Sequence, residues 1–174
     1  MSKAIFLDRD GVINEDEGYV GTIEKFKFRN GVFTALKKLQ TAGFLLVIVT
    51  NQSGIARGYY TEKDYYTVTD FMLEIFEKNN ITIAGVYFCP HAPEENCLCR
   101  KPKPGMILEA RQTLNIDLKK SWMIGDKMSD IEAGKDAGVQ TILITSAYVK
   151  NVSEKKYDDL AHAVEYILQT DKSI

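Results

Sequence analysis

Two aspartates stand one residue apart near the start of the chain, in Asp8-Arg9-Asp10-Gly11. On extended backbone, residues i and i+2 project to the same side, so both carboxylates would face one cleft. Such a pair can divide labour, one as nucleophile and cation ligand, the other as general acid and base. Gly11 permits a sharp turn after them. Taken alone the tetrad also reads as a solvated Asp-Gly turn. A calcium loop fails, because the EF-hand pattern wants glycine at its sixth position, where Ile13 stands.

Three further clusters carry chemistry. Thr50-Asn51-Gln52-Ser53-Gly54 offers a hydroxyl, amides and backbone N–H groups of the kind that hold a phosphoryl oxygen, although such residues gather in any loop. Gly125-Asp126-Lys127-Met128-Ser129-Asp130 places Asp126 to ligate a hard cation such as Mg²⁺. Asp130 reads equally as an orienting carboxylate or as favourable charge against a helix dipole. Cys89-Pro90-His91 and Cys97-Leu98-Cys99 put all three cysteines and one of the two histidines within eleven residues. Ligands spaced C-x-H and C-x-C across a short polar loop match a closed Cys₃His zinc site. With no open coordination position, that metal would be structural, ordering a loop with few apolar residues. Arg100 and Lys101 follow directly, a fork and a point charge able to clamp phosphate. His162 reads as a surface residue.

The elements that must position these clusters alternate. Strands are expected at 4–7, 44–49, 81–88, 122–124 and 139–144. Helices are expected at 31–42, from a Thr61 cap to 78, at 105–114 behind Pro104, at 129–137 before Gly138, and at 156–168. The strands are apolar on both faces, as buried parallel strands are. Strand-helix alternation implies α/β architecture: three layers, a doubly wound parallel sheet with right-handed crossovers and helices on both faces. Ligands bind such sheets beyond the carboxyl ends of the strands. Every cluster above falls just after a strand.

Bulk properties set the frame. The 174 residues are expected to form one domain, 1–174, with the zinc loop 89–99 inserted. The chain is 45% hydrophobic and 26% charged, which sets disorder and coiled coil aside. The net charge of −2 argues against nucleic acid. No apolar stretch is long enough for a membrane span, and Met1-Ser2-Lys3 leads straight into the first strand without a signal peptide. A cytoplasmic monomer is expected. The pairs Tyr59-Tyr60 and Tyr65-Tyr66 read either as bordering the cleft or as packing the long helix, with packing preferred, and the segment after Ala147 as structural.

Together the strings FLDRDGVIN, GYV, VTNQSGIARG, CPH, CLCRKPKPGM and MIGDKMSD resemble the haloacid dehalogenase superfamily of phosphohydrolases. Within it they resemble the branch of the D-glycero-D-manno-heptose 1,7-bisphosphate 7-phosphatases, with histidinol-phosphate phosphatases close by. The resemblance runs from about Ala4 to Ile144. It implies a Rossmann-like sheet without a large cap domain and with a zinc-binding loop after the third strand. It implies that Asp8 attacks phosphorus and that Asp10 protonates the leaving group and then activates water. Mg²⁺ would be held by Asp8, the backbone carbonyl of Asp10 and Asp126. Thr50 and Lys101 would stabilise the transferring phosphoryl group. Arg100 would recognise a small phosphorylated sugar, with Asp16, Glu17, Gly18, Tyr19, Asn51, Gln52, Ser53 and Lys127 lining its pocket. Zn²⁺ would sit on Cys89, His91, Cys97 and Cys99. Only five residues separate His91 from Cys97, shorter than in many relatives, which would reshape the mouth.

Two other classes compete. A zinc-dependent binding module accounts for the cysteines but leaves Asp8, Asp10, Thr50 and Asp126 as coincidences. A phospho-accepting receiver domain carries its acceptor aspartate after the third strand, where this chain has the zinc loop instead.

Overall fold

The computed structural model describes residues 1–171. Ala4–Leu7 forms β1, Leu45–Asn51 β2, Ile83–Cys89 β3, Trp122–Gly125 β4, Gln140–Ile144 β5 and Lys156–Tyr157 β6. Helices α1 (Val32–Thr41), α2 (Glu62–Lys78), α3 (Gly105–Leu114), α4 (Met128–Ala137) and α5 (Leu160–Asp171) lie between and after them. The strands order as β3-β2-β1-β4-β5-β6, and every neighbouring pair is parallel.

Period-two alternation divides the core into two layers. Ile5, Leu7, Leu46, Ile48 and Ile124 pack with residues of α1, α2 and α5 on one face. Ala4, Phe6, Val47, Val49 and Met123 pack with α3 and α4 on the other. Helices therefore cover both faces of the sheet, and the three-layer expectation holds. Among the described residues no connection builds a second sheet or helical bundle over the cleft.

Local chemistry sets the element ends. Thr61 Oγ1 accepts the Asp64 N–H at 3.1 Å while Asp64 Oδ2 accepts the Thr61 N–H at 2.8 Å, a reciprocal cap that starts α2 at the expected residue. Gly138, at φ +88°, ends α4 in the left-handed region.

The last element departs from expectation. Residues 156–157 do not open a helix; they pair with Leu143 and Ile144 as the sixth strand. Asp159 Oδ1 accepts the His162 N–H at 2.9 Å, so the helix starts only after Asp159. At the far edge of the molecule, Lys3 Nζ meets Asp171 Oδ2 at 2.7 Å. No helix is long and apolar enough to cross a membrane.

Candidate active site

Asp8 leaves the end of β1 with its N–H donated to Ile124 O at 3.0 Å, which ties its backbone to β4. Lys101 reaches it from the loop before α3. Its Nζ lies 2.8 Å from Asp8 Oδ1, 2.7 Å from Asp130 Oδ1 and 2.8 Å from Val49 O. All three ammonium protons thus have partners. Burial works against the charge of Lys101, which is 4% exposed, but Asp130 and Asp8 outweigh it and hold the ammonium above its ordinary range. Asn51 fixes the Lys101 backbone from β2, donating to its carbonyl and accepting its N–H, each at 3.0 Å.

Asp126 follows β4 and is 1% exposed. Its Oδ1 is buried without a hydrogen-bond partner among the described residues. Burial, then the nearby Asp8, pushes its carboxyl up to about 8. Asp8 is raised as well, by burial and then by Asp130. Carboxylate oxygens of Asp8, Asp126 and Asp130 lie within 4.8 Å of one another. Three clustered carboxyl groups, two of them held above their ordinary range by burial and neighbouring charge, and an orphaned hard oxygen make a donor set that fits Mg²⁺.

Gly11 completes this corner. Its φ is +92°, and a Cβ there would lie 2.2 Å from Asp126 Oδ2. Asp130 proves to be both an orienter and a helix-end charge: its Oδ2 accepts the N–H of Asp126 at 3.2 Å and of Lys127 at 3.1 Å.

Asp10 is held apart from that cluster. Its Oδ1 accepts from Arg9 Nη2 at 3.1 Å and Asn14 Nδ2 at 2.9 Å, and its Oδ2 from Gln52 Nε2 at 3.1 Å. Gln52 Nε2 also donates to Thr50 Oγ1 at 2.9 Å.

A cavity of about 520 Å³ opens over these residues. Its lining includes Asp8, Asp10, Asn51, Gln52, Ser53, Arg100 and Lys101, together with Asp16, Gly18, Tyr19 and Lys127. Lys127 Nζ pairs with Asp16 Oδ2 at 3.1 Å. Burial raises Asp16 and depresses Lys127, but opposite charge dominates in both, leaving Asp16 below and Lys127 above the usual range.

Three residues expected at this site lie off the cavity lining, Asp126 being buried beneath it beside Asp8. Glu17 turns outward to Lys27 at 2.8 Å, and Thr50 is buried behind Gln52. Two tyrosines join the cavity. Tyr60 borders it, the less favoured of its two readings, and so does Tyr148, from the segment read as structural. Lys127 Nζ sits 4.4 Å from the Tyr148 ring centroid.

Beyond β3, the Cys89, Cys97 and Cys99 thiols and His91 Nδ1 converge within 4.8 Å. Sulfur separations of 3.0–3.4 Å are too long for a disulfide, and all three cysteines are free. Three sulfurs and one imidazole nitrogen in a closed group suit Zn²⁺. A Cβ on Gly105 would lie 2.2 Å from Leu98 O, so the start of α3 packs directly on this loop.

Comparison with known proteins decides the family. The chain is 51% identical over 144 residues to the D-glycero-beta-D-manno-heptose-1,7-bisphosphate 7-phosphatase of Helicobacter pylori, covering 82% of this chain and 83% of that protein. The chain belongs to the haloacid dehalogenase-like hydrolases, in the family of the heptose-bisphosphate 7-phosphatases. Residues 98–170 match the HAD-hydrolase-like family model. A Campylobacter jejuni relative named for the alpha anomer is 47% identical over 91% of this chain and 87% of its own. Among solved structures, the D,D-heptose 1,7-bisphosphate phosphatase of B. bronchiseptica, complexed with magnesium and phosphate, superimposes with a TM-score of 0.89. It is 30% identical and covers 97% of this chain and 99% of that one. These relatives favour the heptose reading over histidinol phosphate.

Proposed function

We propose that this protein is a Mg²⁺-dependent phosphatase that removes the 7-phosphate of D-glycero-D-manno-heptose 1,7-bisphosphate, a step toward nucleotide-activated heptose. The observation that carries this reading is the convergence of Asp8, Lys101, Asp126 and Asp130 at the carboxyl edge of β1, β2 and β4, with Asp10 held separately beside them. The names of the relatives and the magnesium and phosphate of the B. bronchiseptica structure support it.

In the first half-reaction an Asp8 carboxylate oxygen attacks phosphorus while the phosphorus–oxygen ester bond breaks. The departing alkoxide takes a proton from Asp10. In the second half, Asp10 takes a proton from water, whose oxygen attacks phosphorus, releasing phosphate and restoring Asp8. Mg²⁺, held by Asp8, Asp126 and the Asp10 carbonyl, would neutralise the charge of the phosphoryl group approaching Asp8. Lys101 adds positive charge from behind Asp8, and Thr50 supplies a hydroxyl at the end of β2. Arg100, Lys127, Asp16, Gly18, Tyr19 and Ser53 form the walls that receive the sugar. The Cys₃His site would hold Zn²⁺ structurally, and the enzyme acts as a cytoplasmic monomer on a small sugar phosphate.

The test is phosphate release from the alpha and beta heptose 1,7-bisphosphates and from histidinol phosphate, side by side, with and without Mg²⁺. Fastest turnover on a heptose bisphosphate, lost with chelator, is expected. Preference for histidinol phosphate, or full activity without divalent cation, overturns the reading.

A further inference from the structure

We propose that Gln52 acts on catalysis as a positioning residue for Asp10, locked in one amide orientation by Tyr60 and Arg9. This rests on the reading of Asp10 as proton donor and acceptor given above. Gln52 lies in the loop expected to touch substrate, yet only 2% of it is exposed. Its two amide ends meet chemically opposite partners. Oε1 accepts the Tyr60 hydroxyl and faces Arg9 Nη2 at 3.4 Å. Nε2 donates to Asp10 Oδ2 at 3.1 Å and to Thr50 Oγ1 at 2.9 Å.

A guanidinium only donates and a carboxylate only accepts. Turning the amide over would set its NH₂ against Arg9 and its oxygen against Asp10, losing hydrogen bonds at both ends in a buried place. Tyr60 reinforces the choice. Burial pushes its hydroxyl up to about 12, so it stays protonated and able to donate.

The Tyr60 ring has little freedom to withdraw. A Cβ on Gly21 would lie 2.4 Å from the ring, and a Cβ on Gly54 2.3 Å from it, so two bare backbones enclose the aromatic face. Arg9 is 1% exposed and held through Nη2, which also donates to Val20 O at 2.9 Å, while its Nε and Nη1 are buried without a partner among the described residues. The Asp10 carboxylate therefore has donors on both oxygens from Arg9, Asn14 and Gln52. Rotation about its χ2 breaks that set. An acid that must deliver its proton to one leaving oxygen and then collect one from water gains from a fixed plane.

Leaving-group dependence separates this role from substrate contact. A sugar alkoxide needs the proton of Asp10 to depart, whereas p-nitrophenolate does not. Tyr60→Phe and Gln52→Met are compared with wild type on the heptose bisphosphate and on p-nitrophenyl phosphate, with Asp10→Asn as the benchmark. For Tyr60→Phe we expect kcat on the sugar to fall by about tenfold, with a larger fall for Gln52→Met. KM stays within about twofold, and kcat on the aryl ester falls by less than about threefold. Asp10→Asn shows the same asymmetry at greater amplitude. A raised KM with unchanged kcat, or equal losses on both esters in Tyr60→Phe and Gln52→Met, overturns the positioning role while leaving the reading of Asp10 intact. Equal losses on both esters in Asp10→Asn itself overturn that reading and this proposal together. Tyr60→Phe keeps the enclosed ring, so it remains informative if Gln52→Met folds poorly.

Discussion

Lys101 donates to Asp8, Asp130 and the Val49 carbonyl from a buried position, so its charge is matched before any substrate arrives. Replacing it leaves carboxylates buried without their cation. In Mg²⁺-free buffer at neutral pH, Lys101→Met is expected to lose about 3 kcal/mol in denaturant unfolding. Proton uptake by the stranded carboxylates should shrink that loss as the pH falls. An unchanged midpoint at neutral pH would contradict the coupling. At the same scale, Asp8→Asn should lower phosphate release by more than about a thousandfold, measured on protein free of wild-type enzyme. Robust turnover by that variant would remove the nucleophile from the mechanism. Asp8, Asp10, Asp126 and Lys101 could be picked out in the sequence because strand ends in parallel sheets are where ligands bind. Gln52 was legible as a residue of the pocket but not as one turned inward, and Tyr60 was read as packing in preference to bordering the cleft. Whether a loop side chain faces substrate or turns inward is decided by tertiary partners such as Arg9 and by the enclosing Gly21 and Gly54, which no spacing encodes.

Among elements, α2 was the most legible because its cap is written in four consecutive residues, Thr61 to Asp64. Thr61→Ala should cost about 1 kcal/mol in unfolding free energy, with kcat on the aryl ester unchanged. β6 was illegible for the opposite reason. Two residues, Lys156 and Tyr157, carry no periodicity, and their strand exists only because β5 offers an edge. The loop carrying the four soft ligands has an intermediate standing. Its ligands are plain in the sequence, but its packing against Gly105 emerges only in three dimensions. Protein purified without added metal should hold about one equivalent of zinc by elemental analysis, as a closed four-ligand site requires. Stripping it should lower the melting temperature, since metal binding and loop folding share one free energy. An unaltered melting curve after removal would deny the metal its structural part.

For the whole molecule, the repulsion among Asp8, Asp126 and Asp130 makes the active-site rim a place where ligand binding adds directly to stability. Magnesium at about one hundred times its Kd should raise unfolding free energy by about 2.7 kcal/mol. For a chain of this size that is a rise of roughly 5–10 °C in Tm. Asp126→Asn should abolish most of the shift, and a full shift in that variant would move the cation elsewhere.

The contact between Lys3 and Asp171 has a practical corollary. Lys3 precedes β1 and Asp171 closes α5, so the pair lies at the amino edge of the sheet, remote from the catalytic rim. A dye or surface tether attached at that edge would leave the substrate's approach clear.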